Sequence, residues 1–221
     1  MVGFNRRFAW LVVELKQVLS QIQEPLLMSY RVNSGSLPLS HWAHDPMQGG
    51  GRIVGEVCHF IDLMTFLCGS PAVRVFATAT PIVDRHAPDN AILQVSFANG
   101  STGVITYASR GDKRLPKKRL EVFAQGRVAV LDDFRSLELV SQGQRRKLRS
   151  LLHRDTGHRR EWRAFVEAVV NGGPSPIAFS EIVSTTRATF RMLESLASGR
   201  PEAVEQVIEL GLRREARSGR T

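Results

Sequence analysis

Glu56 and His59 interrupt an apolar stretch, Ile53, Val57, Phe60, Ile61 and Met64, whose spacing predicts a helix with one buried stripe. Three residues apart, their side chains leave the same side of that helix, close together at their bases. A carboxylate beside an imidazole, near free N–H groups at a helix start, is suited to general acid–base work. The same spacing also fits a solvated pair or a histidine packed in a core, so spacing leaves chemistry and packing both open. Gly49, Gly50 and Gly51 precede the helix without a Cβ among them, and Gly50 and Gly51 are the positions where a cofactor could approach the backbone.

The elements that must position these groups follow from periodicity. Leu11, Val12, Leu15, Val18, Leu19 and Ile22 predict a helix over 8–22, stopped by Glu24-Pro25, and a strand over 25–33 follows. A loop over 34–51 holds His41, Trp42, His44 and Asp45; two histidines three apart lack the further ligands of a metal site, so a sugar-facing role for Trp42 is preferred to a metal. Cys68-Gly69-Ser70-Pro71 reads as a helix stop. The period then switches to two: Val73, Val75 and Ala77 alternate with Arg74, Phe76 and Thr78, strands fit 92–97 and 102–107 around the Asn99-Gly100 turn, and further strands fit 119–124, 129–132, 136–141 and 146–151. Helices return over 158–170 and 180–198, the second with Ser180 as N-cap. This order predicts an α+β fold, a large open mostly antiparallel sheet with helices on one face. One domain is expected over 1–200, then a short amphipathic stretch and a basic tail, 201–221, with the composition of a disordered segment.

The 221 residues carry a formal charge of +9, and arginine outnumbers lysine 25 to 5. Such an excess favours anionic partners: nucleotide phosphates, sugar phosphates or acids, or nucleic acid. Nucleic acid is disfavoured because the arginine runs lack interleaved aromatics and a recognised binding motif; solvated loops explain them equally well. Cys58 and Cys68 lie about 15 Å apart along one helix, too far for a disulfide, and are expected as buried thiols in a reducing compartment. Glu14 and Lys16 break the first apolar stretch too soon for a signal or membrane segment, so the expected location is the cytoplasm.

The string Gly49 to Leu63 (GGGRIVGEVCHFIDL), with Val2 to Phe8 (VGFNRRF), Tyr30-Arg31-Val32-Asn33, His41-Trp42, Gly157-His158 and Gly173-Pro174-Ser175-Pro176-Ile177, resembles the Gfo/Idh/MocA family of NAD(P)-dependent sugar and inositol oxidoreductases. The resemblance implies the same open sheet, whose outer face often joins subunits, hence a homo-oligomer. It matches His59 to the histidine that helps move the hydroxyl proton. The family's acid stands four residues earlier, at the position of Gly55, so Glu56 would orient the ring from a different angle. Arg7, Tyr30, Asn33, Trp42 and His158 become candidates for substrate contacts, with packing or capping as the alternative for each. The sequence has no G-x-G-x-x-G after a strand and no Glu-Lys-Pro, so residues 1–5 read as the remnant of a last Rossmann strand and turn. NAD or NADP is implied by the family, held by a Rossmann domain in cis or in trans. Two readings stay open: the substrate-binding and oligomerisation half of a sugar, polyol or nucleotide-sugar oxidoreductase, inactive alone, and a non-catalytic dimerising remnant.

Overall fold

The structure, a computed structural model, describes residues 1–38, 40–45, 48–80, 89–150 and 153–206. The expected loop positions 39, 46 and 47, the end of the last predicted strand at 151, and the tail from 207 onward lie outside the described residues. A 3-10 turn, Asn5–Phe8, leads into α1 (Trp10–Leu19) and β1 (Leu27–Asn33). Residues 1–4 pair with no strand of the described residues. After a second short turn, Trp42–His44, a π-helical turn, Ile53–Val57, runs straight into α2 (Cys58–Cys68). Gly69, at φ 66°, ends α2 in the left-handed conformation that the stop signal requires.

Seven strands follow, β2 (Ala72–Ala79), β3 (Ala91–Phe97), β4 (Thr102–Ala108), β5 (Lys118–Ala124), β6 (Arg127–Asp132), β7 (Ser136–Ser141) and β8 (Gln144–Arg149). Then come α3 (His158–Val170), α4 (Phe179–Ser198) and a two-residue strand, β9 (Glu202–Ala203). The sheet order is β8-β7-β6-β5-β1-β4-β3-β2-β9. Only β1 with β4 is parallel among the described pairs; every other neighbour is antiparallel. Because strand side chains alternate, Met28, Tyr30 and Val32 share one face with Leu93, Val95, Ile105, Leu120 and Val122, and that face is buried with Leu11, Leu15, Phe60 and Met64 of α1 and α2. Leu27, Ile92 and Phe123 on the opposite face are exposed. The expected α+β architecture with helices on one face is the one observed.

Three local expectations change. A register shift between Ala72 and Arg74 turns Ala72 inward with Val75 and Ala77, where plain alternation placed Val73. α4 starts one residue early, with Ala178 at the N-cap and no side-chain cap, so Ser180 does not cap it. The stretch after Pro201 pairs with β2 as β9, and Val204 is buried, so the domain runs past residue 200. Cys58 and Cys68 are free and half-buried rather than fully buried.

Candidate functional site

Four elements converge at the head of α2: the 3-10 turn, β1, β5 and the 109–117 loop. The 3-10 turn is fastened there by Arg7, whose Nε and Nη2 donate to Asp62 Oδ2 and Oδ1 at 3.1 and 2.5 Å while Nη1 donates to Glu181 Oε2 of α4 at 2.6 Å. Asp62 is wholly buried, so this fork replaces the water its carboxylate gives up. β1 and β5 run beneath, and the 109–117 loop closes one side: Asn33 Nδ2 donates to the carbonyls of Asp112 and Leu115 at 2.6 and 3.3 Å. Arg7, expected at the substrate, therefore spends its guanidinium on the scaffold, and Asn33 spends its amide nitrogen there while its Oδ1 is buried without a partner.

Glu56 sits in the π turn, which carries an extra residue per turn and so re-aims its side chains relative to an α-helix. Its Oε1 accepts from Lys117 Nζ at 2.8 Å, and its Oε2 accepts from Tyr107 Oη at 2.5 Å, Ser34 Oγ at 3.0 Å and Arg52 Nη2 at 3.3 Å. Burial would push this carboxyl up, but Lys117 and Tyr107 outweigh burial and hold it down to about 2. No hydrogen bond joins Glu56 to His59 among the described residues. The direct pair expected from α-helical spacing is thus replaced by an influence of the Glu56 charge alone, which favours the protonated imidazole.

His59 is half-buried, edge-on to Phe4 with ring centroids 5.7 Å apart, and its Nδ1 is buried without a partner. Burial, then the charges of Arg6 and Lys118, push the imidazole down to about 3, so it is neutral at physiological pH. Around the neighbouring Phe60 ring lie Arg6 and Lys118, which sequence reasoning missed, and Tyr30, which it named. Arg6 Cζ stands 4.8 Å from the ring centroid, Lys118 Nζ 5.9 Å, and Tyr30 packs on it at 5.0 Å. Starting β5 at Arg119 hid Lys118, although Lys118, Leu120 and Val122 share the period-two face that points inward.

Two candidates remain, Trp42 and His158, of which His158 is close enough to act electrostatically on His59. Trp42 is 60% exposed and faces His41 at 5.6 Å. His158, largely exposed at the head of α3, has its Nε2 3.2 Å from Asn5 Nδ2 and lines a cavity of about 340 Å³ with Met1, Gly3, Glu161, Trp162 and Phe165. Of the expected contact residues, Arg7 is bonded to His59's helix through Asp62, and Tyr30 packs on Phe60 of the same helix.

A dinucleotide needs a strand, a glycine-rich turn and a helix whose N-terminus meets the pyrophosphate. Gly50 and Gly51 do follow glycine's backbone preference, at φ 61° and 84°, and a Cβ on Gly49 would come within 2.6 Å of Ala43 Cα. Turn geometry and packing thus account for these glycines, and they open a π turn after a loop rather than a helix after a strand. The described residues do not by themselves fit a dinucleotide site. No described helix is long and apolar enough to cross a membrane.

A sequence profile described as the GFO/IDH/MocA C-terminal domain matches residues 14–127, just over half of the chain. The mouse glucose-fructose oxidoreductase domain-containing protein 1 is 32% identical over 100 residues, covering 43% of this chain and 26% of its own length. Among solved structures, an oxidoreductase domain protein from Kribbella flavida superposes with a TM-score of 0.83 at 17% identity, covering 93% of this chain and 66% of its own. A levoglucosan dehydrogenase in complex with NADH and levoglucosan gives 0.80 at 20% identity, covering 94% and 66%. At these identities the two structures show the fold, and the chain spans about a quarter of the mouse protein and just under two thirds of each structural relative. Profile and open sheet agree: the chain belongs to the Gfo/Idh/MocA oxidoreductase family, in which it corresponds to the C-terminal domain.

Proposed function

We propose that this chain is the substrate-binding and oligomerisation half of an NAD(P)-dependent oxidoreductase that acts on a hydroxyl of a sugar, polyol or nucleotide sugar. The observation that carries the proposal is His59, a neutral imidazole at the head of α2 with one nitrogen unpartnered. A neutral imidazole can take the hydroxyl proton as the carbon is oxidised. Glu56 acts as a positioning residue: its charge, fixed by Lys117, Tyr107, Ser34 and Arg52, favours the imidazolium that forms.

The nicotinamide cofactor would be held by a Rossmann domain in cis or in trans. Support for such a partner comes from α3, which packs chiefly on the 3-10 turn and leaves Trp162, Val166, Val169 and Val170 exposed beside the cavity at Met1 and Gly3. An apolar row of this kind favours burial against another domain. The uncovered sheet face, with Leu27, Ile92 and Phe123, supports pairing with a second copy. That face equally suits a non-catalytic dimerising module, the second reading.

The test is turnover of candidate sugars and polyols with NAD and NADP, by the chain alone and by the chain joined to a Rossmann domain. No turnover is expected from the isolated chain and measurable turnover from the joined protein. Turnover by the isolated chain would overturn the division of labour, and a dimer that stays inert when joined would favour the second reading.

A further inference from the structure

Cations elsewhere around the site have anionic partners: Arg7 has Asp62 and Glu181, Arg52 and Lys117 have Glu56, and Arg154 has Asp133. Arg6 and Lys118 do not. Arg6 is 8% exposed, its Nε and Nη1 are buried without a hydrogen bond, and no carboxylate of the described residues pairs with it. Lys118 is 7% exposed, its Nζ lies 5.9 and 5.5 Å from the ring centroids of Phe60 and Phe134, and among the described residues no carboxylate is within ion-pair distance of it, although the more distant Glu56 charge acts on it. Beside them the Tyr30 hydroxyl and His59 Nδ1 are likewise buried and unpartnered. Burying one unpaired cation is costly, and two that repel each other more so. Donors without acceptors, converging on one aromatic ring next to the reacting histidine, describe a site whose anion arrives from outside the chain.

We propose that Arg6 and Lys118, with the Tyr30 hydroxyl, form a carboxylate subsite, and that the substrate of this domain is therefore a sugar acid rather than a neutral sugar. The inference rests on the dehydrogenase reading of His59 and narrows it to a substrate class. The free N–H groups of the Arg6 guanidinium match the two oxygens of a carboxylate, and the Lys118 ammonium supplies a second charge. The carboxylate also has an effect on the chemistry. Burial is the first cause that holds the imidazole of His59 down, and Arg6 and Lys118 come next, so a seated carboxylate that neutralises these two charges removes their part and makes His59 a stronger base.

The test is calorimetric titration with glucuronate, glucose and inorganic phosphate, using the chain alone and the chain joined to a Rossmann domain. Glucuronate is expected to bind at least tenfold more tightly than glucose, with Arg6→Gln and Lys118→Met each bringing the ratio close to one. Circular dichroism establishes that both variants are folded, and NMR titration of His59 supplies a second measure: glucuronate should raise its pKa and glucose should not. Equal binding of glucose and glucuronate would overturn the carboxylate subsite while leaving the dehydrogenase reading intact. Tighter binding of phosphate than of glucuronate, lost in the same variants, would overturn it in favour of a phosphate site. Selective glucuronate binding without oxidation of any sugar by the joined protein would keep the subsite and defeat the dehydrogenase reading.

Discussion

Replacing Lys118 with Met should stabilise the ligand-free protein, and the gain should depend on pH in a direction the burial dictates. Burial, then the charges of Arg6 and Lys117, lowers the ammonium from 10.5 to about 7. Between those values the unfolded chain binds more protons than the folded one, so the lysine's contribution to stability rises with pH. Integrated from pH 7 to pH 10.5, the relief amounts to about 4 kcal/mol. Methionine keeps most of the volume between Phe60 and Phe134 and carries no charge, so exchanging an unpaired buried ion for it should gain roughly 1–4 kcal/mol at pH 7. Urea unfolding of parent and variant at pH 7, 8, 9 and 10 gives the difference directly, and other titrating groups cancel between the two proteins. The variant should be more stable at pH 7, with its advantage shrinking steadily toward pH 10. A variant less stable than the parent at pH 7, or a difference that stays flat with pH, would refute the claim that Lys118 is an uncompensated buried cation.

Two further outcomes follow from the same accounting of charges. Glu56 is held down to about 2 from 4.5, so its contribution is fully present above pH 4.5 and is lost as pH falls toward 2; Glu56→Gln should cost about 3 kcal/mol at pH 7, and acid titrations that run parallel for parent and variant would contradict this. Arg7→Leu strands the buried Asp62 carboxylate and should cost about 3–5 kcal/mol, largely restored when Asp62 is also replaced by Leu; a loss below about 1 kcal/mol in chemical denaturation would mean that the clamp is not structural.

The sheet was legible because its two faces meet different environments. Alternation along 92–97 and 119–124 follows burial residue by residue, and the Asn99-Gly100 turn joins β3 and β4 with Gly100 at φ 85°. Alternation failed where the backbone itself changed: the bulge at Ala72 reverses which neighbour turns inward, and no composition cue marks it. The helix carrying His59 was legible from its apolar stripe, but the π turn at Ile53–Val57 was not, and it decides where Glu56 points. Arg7 and the Asn33 amide nitrogen are polar groups in a setting that suits ligand contact, yet their partners, Asp62, Glu181 and the carbonyls of Asp112 and Leu115, lie far along the chain, so spacing could not reveal that these groups are already bonded. Lys118 was the opposite case: its inward face was readable from Leu120 and Val122, and starting the strand one residue late hid it.

The most direct measurement of the central claim is the turnover of the joined protein with His59 replaced by Asn, which keeps a polar side chain of similar reach but cannot act as the base. Loss of two to four powers of ten in kcat with little change in KM, about the range for a lost general base, is the predicted result. A change of less than about threefold would return His59 to the packing of α2.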